Sequence, residues 1–188
     1  VLEVRTLDAS LASTQVTARG RLGLTRPATG IPLQIRAVSR DLSRLAPLAS
    51  GITGLPPRLT GSFLLQAELT GSIRSPSVNG AFRGQQLRYE EYQADRLEID
   101  ADIDVASGFE QVEGTIELSG AQLMVPGLGA DSLRFAAEGN QDSMAVRMVL
   151  SREAGSNIQL AGAVELIGRT PRGVLLDSLE LRAGELAW

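Results

Sequence analysis

The chain has 188 residues, of which 43% are hydrophobic and 21% charged, and its 18 basic residues, all arginine, against 22 acidic ones give a net charge of -4. It contains no cysteine, histidine or lysine, which excludes thiol nucleophiles, Ser-His triads, imidazole metal sites and Schiff-base chemistry. The few aromatic residues and the slightly acidic balance also argue against a nucleic-acid binder, so we expect no enzyme activity, cofactor, metal or nucleic-acid partner.

The two ends of the sequence predict a piece of a longer protein. It begins at Val1 without methionine or a leader and stops at Trp188 inside a patterned segment. No run approaches the roughly 18 to 20 apolar residues that a membrane-spanning helix needs. We therefore expect residues 1–188 to form a single β-rich segment whose membrane anchor lies elsewhere in the protein.

The first 50 residues predict three short strands and one helix. Apolar and polar residues alternate at 2–6, 16–24 and 33–37, which is typical of strands. Over 39–50 the alternation stops and the pattern predicts a helix, because Leu42, Leu45 and Leu48 lie at helical spacing after a capping residue such as Asp41. Proline inside a helix costs about 3 kcal/mol, so Pro47 limits this helix to two or three turns. We expect it to cover an open end of the sheet; a gating role is the alternative.

From residue 63 onward, alternation with a period of two dominates the sequence. Over 95–105 the apolar residues fall on one strand face, as in a half-buried strand. A glutamate and three aspartates fall on the other face, and a fourth aspartate begins the stretch. The same pattern recurs at 63–69, 112–118, 144–150 and 158–166, and less fully at 78–82, 87–89, 133–137 and 179–183. With turn signals between the runs, among them Ser75-Pro76-Ser77, we expect about a dozen strands in an antiparallel meander.

Two architectures could bury the apolar face of these strands. A β-sandwich or closed barrel would pack it into an ordinary core, and alternation alone does not exclude this. However, the strands follow one another without the long crossings of a sandwich, and few large side chains are available to fill a wide interior. We therefore favour an elongated, curled antiparallel sheet, a half-pipe whose apolar lumen is left open to a ligand or partner.

The strand phase predicts which side chains line this lumen. Aliphatic and aromatic side chains offer an apolar ligand non-directional contact, so no single position needs to bind tightly. The acidic side chains of 95–104 are expected to be the solvated outer face rather than a cation site. The predicted lining residues are Phe63, Leu65, Leu69, Ile73, Val78, Phe82, Leu97, Ile99, Ile103, Val105, Ile116, Leu118, Leu133, Phe135, Val146, Met148, Ile158, Leu160, Val164 and Leu166.

The stretch 69–105 resembles the TamB family of translocation and assembly module proteins. It contains the segment 71–80 (GSIRSPSVNG), the strand Leu87-Arg88-Tyr89, and the opening Asp95-Arg96-Leu97 of a strongly alternating strand. The preceding segment 41–61 is similar to the helix and turn that come before such repeats. Together these segments cover about a third of the chain.

The resemblance implies a fold, a location and a partner. The fold is the β-taco groove of AsmA-like, repeating β-groove lipid-transfer proteins. The location is the periplasm of Gram-negative bacteria, with the full-length protein anchored in the inner membrane, and the partner is TamA, an outer-membrane barrel of the Omp85 superfamily.

On this basis we expect a conduit segment that shields phospholipid acyl chains between the two membranes. The alternative is a β-rich scaffold that assists outer-membrane protein clients, autotransporters included, by strand-edge pairing.

Overall fold

A computed structural model describes most of the chain. The described residues are 1–45, 59–106, 111–140, 142–152, 155–167, 170–183 and 186–187. Within these ranges, the side chains of 128, 166–167, 170–172, 183 and 186–187 are outside the description.

The described residues are almost entirely β-strand. The strands are β1 (Leu2–Leu11), β2 (Thr14–Leu22), β3 (Leu33–Ser39), β4 (Leu59–Ser72), β5 (Ser75–Tyr89), β6 (Tyr92–Ala106), β7 (Gln111–Val125), β8 (Leu128–Asn140), β9 (Ser143–Arg152), β10 (Ser156–Ile167), β11 (Thr170–Ala183) and β12 (Leu186–Ala187). In the described part of the connection between β3 and β4 lies a 3-10 turn, η1 (Leu42–Arg44).

All twelve strands form one antiparallel sheet in chain order, from β1 to β12. In the described residues the sheet is not closed, because β1 pairs with β2 at one edge and β12 with β11 at the other. The predicted all-β, open antiparallel fold is confirmed. The sandwich alternative is wrong for these residues, since substantial contacts join only strands that follow in order, plus β2 with β4 and η1 with β4.

Two-residue turns join β1 to β2, β4 to β5, β5 to β6 and β7 to β8, and one of them differs from the sequence prediction. The turn between β4 and β5 is formed by Ile73 and Arg74, whereas Ser75-Pro76-Ser77 was predicted as the turn. Pro76 is instead the second residue of β5. Proline is tolerated at the start of a strand, because few ladder hydrogen bonds are needed there.

The helix predicted near 39–50 is a single 3-10 turn in its described part. Asp41 caps this turn, since its Oδ1 accepts hydrogen bonds from the Ser43 backbone N–H at 3.0 Å and the Ser43 hydroxyl at 2.6 Å. Leu42 is buried and η1 packs against β4. Pro47 and the rest of the predicted helix lie outside the described residues.

The Asp41 cap leads to a prediction about pH. The two hydrogen bonds from Ser43 hold the pKa of the Asp41 carboxyl below its usual range. A lowered pKa stabilises the folded chain above the ordinary value of about 3.9, and this contribution disappears as the pH falls through the folded pKa. Asp41→Ala should therefore lower the Tm at neutral pH, and the difference from the wild type should shrink on acidification. A difference independent of pH would contradict the carboxylate cap.

Candidate functional site

The register of the ladders aligns the apolar residues of nine strands, β3 to β11, in four parallel rows that run across the sheet. Row 1 contains Ser39, Phe63, Gly84, Leu97, Gly120, Leu133, Leu150, Ile158 and Leu181. Row 2 contains Ala37, Leu65, Phe82, Ile99, Leu118, Phe135, Met148, Leu160 and Leu179. Row 3 contains Ile35, Ala67, Gly80, Ala101, Ile116, Ala137, Val146, Gly162 and Leu176. Row 4 contains Leu33, Leu69, Val78, Ile103, Gly114, Gly139, Met144, Val164 and Val174.

Seventeen of the twenty predicted lining residues fall in these rows. Val105 lies one step beyond row 4, where it pairs with Val112. Ile73 lies in the β4–β5 turn and is 45% exposed, so it is not part of a row. Leu166 lies in β10 next to row 4, but its side chain is outside the description.

The rows form a half-buried surface rather than a sealed core. The predicted lining residues that lie in the rows are all partly exposed, and Ile116 is 36% exposed. From β4 to β10 this face is nevertheless better shielded than the other. Ala137 in row 3 is only 5% exposed, whereas Ala145, which follows the row 4 residue Met144 and therefore points to the opposite face, is exposed. A contiguous, half-exposed apolar surface of this extent is typical of a site that a ligand or partner covers.

Row 2 is the longest uninterrupted apolar track in the groove. It contains no glycine and carries a large side chain on every strand from β4 to β11. At the β4–β5 end the rings of Phe63 and Phe82 stack with centroids 5.8 Å apart. The neighbouring row 3 is mostly alanine and glycine, so row 2 stands above it as a ridge. Nothing along the ridge is polar, and a hydrocarbon chain could move along it without meeting a hydrogen-bonding group.

A second set of apolar residues extends the surface of the groove, and sequence reasoning missed it. Leu87, Ala94, Leu123 and Ala130 pair with one another across β5 to β8. Ala94 and Ala130 are buried. Each member lies three residues from a member of row 1 on its own strand, whereas strict alternation gives a spacing of two or four. In the sequence, this second apolar set is marked by the change in the spacing of apolar residues from two to three.

The change of phase marks a crease across the sheet. In the recorded ladders, pairing is interrupted at Gln86, Asp95, Gln122 and Asp131, and the register shifts beside Gly61 on β4. Beyond the crease, Leu87 and Leu123 lie over glycines of row 1 on the apolar face. A Cβ placed on Gly120 would come within 2.9 Å of the Leu123 side chain, and Leu87 overhangs Gly84 in the same way. We call the ends of β5 to β8 beyond the crease the wall.

The opposite face of the sheet is polar and charged. Arg83 forms a two-pronged ion pair with Asp100, at 2.8 and 2.9 Å, and lies 3.8 Å from Glu98. The Asp100 carboxylate raises the pKa of Arg83 by accepting this hydrogen bond. Among the described residues, no group of three or more acidic side chains is arranged to hold a metal ion. This face fits the predicted role of a solvated outer surface.

The ion pair of Arg83 should contribute little to stability. Both side chains are well exposed, and exposed pairs typically contribute about 0.2–1 kcal/mol and are screened by salt. We expect Arg83→Gln to lower the free energy of unfolding by less than about 1 kcal/mol, and the effect should fade in high salt. Urea denaturation at two ionic strengths measures this. A loss of unfolding free energy that is large and independent of salt would show that Arg83 supports the sheet through its hydrogen bonds to the Phe82 and Ile99 carbonyls instead.

The fold and the four rows define an all-β protein built on one open antiparallel sheet with a continuous apolar face. The family described as "TamB, N-terminal domain" matches residues 44–175. This is more than half of the chain, and the chain belongs to the TamB family, as its resemblance implied. No curated protein and no solved structure matches the chain.

Membership of the family has general consequences for this chain. The TamB family is an envelope-associated family of transport and assembly proteins rather than an enzyme family, and it works with TamA. In the described part of the chain, no helix has the length and apolar character needed to cross a bilayer.

Proposed function

We propose that this chain is a segment of a hydrophobic conduit that shields acyl chains while phospholipids move between the inner and outer membranes, with TamA at the outer membrane. The single observation that carries the proposal is the set of four rows, apolar except for Ser39 and continuous over nine strands, that no second sheet among the described residues covers. In this proposal residues 1–188 are one groove segment of a longer periplasmic protein that is anchored in the inner membrane.

The geometry of the rows suits transport along the sheet. Eight steps between the nine strands that carry the rows, at roughly 4.8 Å each, make the rows roughly 38 Å long. A lipid tail exposed to water loses about 0.8 kcal/mol for every methylene, so continuous cover over this length is what transfer requires. Contacts with aliphatic side chains are non-directional, and no one site along the rows would hold a tail much more tightly than the next.

A test of the proposal places a charge in the groove. Ile103→Asp in row 4 should lower the affinity for a fluorescent alkyl probe by roughly tenfold or more, because the carboxylate must be desolvated when a tail lies over it. The matched control is Thr115→Asp, which adds the same charge to the exposed polar face. Both variants should unfold within a few degrees of each other, because Ile103 is not in a sealed core.

Native mass spectrometry of the purified wild-type chain provides the direct measurement. We expect bound phospholipid or detergent. A wild-type chain that binds no amphiphile, or an Ile103→Asp variant that unfolds while Thr115→Asp stays folded, would count against the conduit.

The second candidate function is a scaffold for outer-membrane protein clients, and the edge of the sheet favours it. Strand β11 pairs with β12 only at Arg182 and Ala183, and it carries large exposed side chains such as Val174 (74%) and Leu175 (62%). An open strand edge of this kind can accept another strand. Ser178→Lys should suppress edge pairing and leave lipid transfer intact. Loss of client binding with unchanged transfer would identify the scaffold role, and unchanged client binding would exclude pairing at this edge.

A further inference from the structure

The wall is encoded by a motif that occurs twice, 36 residues apart. The first strand of each unit carries Gly-x-Gln-Leu, and the strand that follows it carries Ala-Asp-x-Leu. The corresponding residues are Gly84 and Gly120, Gln86 and Gln122, Leu87 and Leu123, Ala94 and Ala130, Asp95 and Asp131, and Leu97 and Leu133. Each unit is one hairpin, β5–β6 and then β7–β8.

The two glutamines of the motif share an unusual backbone conformation. Gln86 has φ of 50° and Gln122 has φ of 49°, in the left-handed region that residues other than glycine seldom enter. Such a conformation is strained and persists only where its surroundings impose it. Its recurrence at the same position of both units indicates that the unit itself specifies it.

The left-handed residue decides which face of the sheet the next leucine occupies. Leu87 lies three residues after Gly84. In a straight strand, residues an odd number apart point to opposite faces, so Leu87 would point to the polar face. The left-handed Gln86 shifts the phase by one residue and brings Leu87 over Gly84. The absence of a side chain at Gly84 makes room for it. Gln122 does the same for Leu123 over Gly120, and its side-chain amide donates a hydrogen bond to Asp131 at 3.4 Å.

We infer that Gln86 and Gln122 are positioning residues that raise one wall of the groove, one for each 36-residue hairpin unit. The wall adds Leu87 and Leu123 to the apolar surface beside row 1. It also makes the groove deeper along this side, so a tail lying against row 1 is covered from two directions. The role of Gln86 and Gln122 in placing the wall does not depend on any ligand. The contribution of the wall to lipid binding rests on the proposed function.

The bend can be measured as a distance. Since the chain has no cysteine, spin labels can be attached at two introduced cysteines, Glu91→Cys in the β5–β6 turn and Asp104→Cys near the end of β6. Both positions are exposed. In a straight strand these residues would be separated by roughly 43 Å. A bend near Asp95 shortens this separation by roughly 10 Å for a right-angled crease, which pulsed electron paramagnetic resonance resolves.

Three pairs of substitutions in the labelled protein test the role of the glutamines. Gln86→Val with Gln122→Val places β-branched residues where they cannot adopt positive φ, so the labels should move apart towards the straight-strand value. Gln86→Gly with Gln122→Gly accommodates the left-handed backbone and should keep the short distance. The matched control, Gln85→Val with Gln93→Val, changes neighbouring residues with ordinary backbone angles and should also keep it.

Each outcome decides the inference. A short distance in the folded Val pair would overturn it, and so would a long distance in the Gly pair. If the Val pair fails to fold, the Gly pair still decides, because it tests whether the backbone conformation alone holds the bend. In the folded Val pair we also expect the affinity for the alkyl probe to fall by roughly tenfold, the equivalent of about two methylenes losing cover. If the wild-type chain binds no probe, the proposed function fails while the distance result still stands.

Discussion

Gly61→Ala should lower the Tm by roughly 10 °C, from a loss of about 3 kcal/mol in a domain of this size. Gly61 has φ of 114°, a region that a residue with a Cβ rarely adopts. The added Cβ would also lie 2.7 Å from the carbonyl oxygens of both Gln85 and Gln86. These are backbone atoms of the neighbouring strand, so the strain cannot be relieved by moving a flexible side chain.

Gly80→Ala is the matched control, since it makes the same chemical change one strand away. A Cβ on Gly80 would meet the Gln66 carbonyl oxygen at 3.7 Å and the Ala67 Cβ at 4.0 Å, which are ordinary contacts. Replacing glycine with alanine where the backbone allows it usually stabilises by about 0.4–1 kcal/mol, because the unfolded chain loses freedom. The two variants should therefore shift the Tm in opposite directions in calorimetry. Equal Tm values would show that β4 does not need a glycine at the crease.

A double substitution in the middle of row 2, Leu118→Asp with Met148→Asp, should slow vesicle-to-vesicle lipid transfer by roughly a hundredfold. About four methylenes of a passing tail would lose their apolar cover, at about 0.8 kcal/mol each. Desolvation of the two carboxylates would add to the barrier. The protein should remain folded, since both positions are half-buried on an open surface.

Ser119→Asp with Val149→Asp is the control for this experiment. These residues are the chain neighbours of Leu118 and Met148, lie on the polar face, and add the same charge. We expect transfer close to that of the wild type. Equal inhibition by both pairs would mean that charge alone slows transfer, and unfolding of only the row 2 pair would mean that row 2 is a packed core.

Much of the fold follows from local patterns in the sequence. Alternation with a period of two predicts strands directly, and short turns make neighbouring strands pair, so the open meander and the phase of residues such as Phe82 and Ile99 could be predicted. The alternation does not predict which residues of neighbouring strands lie opposite each other, and this register is what aligns the rows. That register depends on where each turn lies, and the misplaced turn at Ser75-Pro76-Ser77 is why Ile73 was assigned to the lining.

Other features depend on interactions that the pattern does not contain. The left-handed conformation of Gln86 and Gln122 has no compositional signal, because glutamine is not a residue that favours positive φ. The wall residues Leu87 and Leu123 were therefore missed. The burial of Leu22 and Leu33 accompanies backbone hydrogen bonds that tie Gly23 to Gly71 and Ile73, at 3.1 and 2.8 Å. That contact between distant parts of the chain is invisible in either segment alone.

The strict chain order of the strands also determines how this molecule should assemble. Each strand pairs with the one before it in the chain, and among the described strands the exception is the contact of β2 and Gly23 with the end of β4. The stability is then close to a sum over adjacent interfaces, as in repeat proteins. The described sheet can therefore form progressively from one strand to the next, and under denaturing conditions it should melt from its outer strands inward.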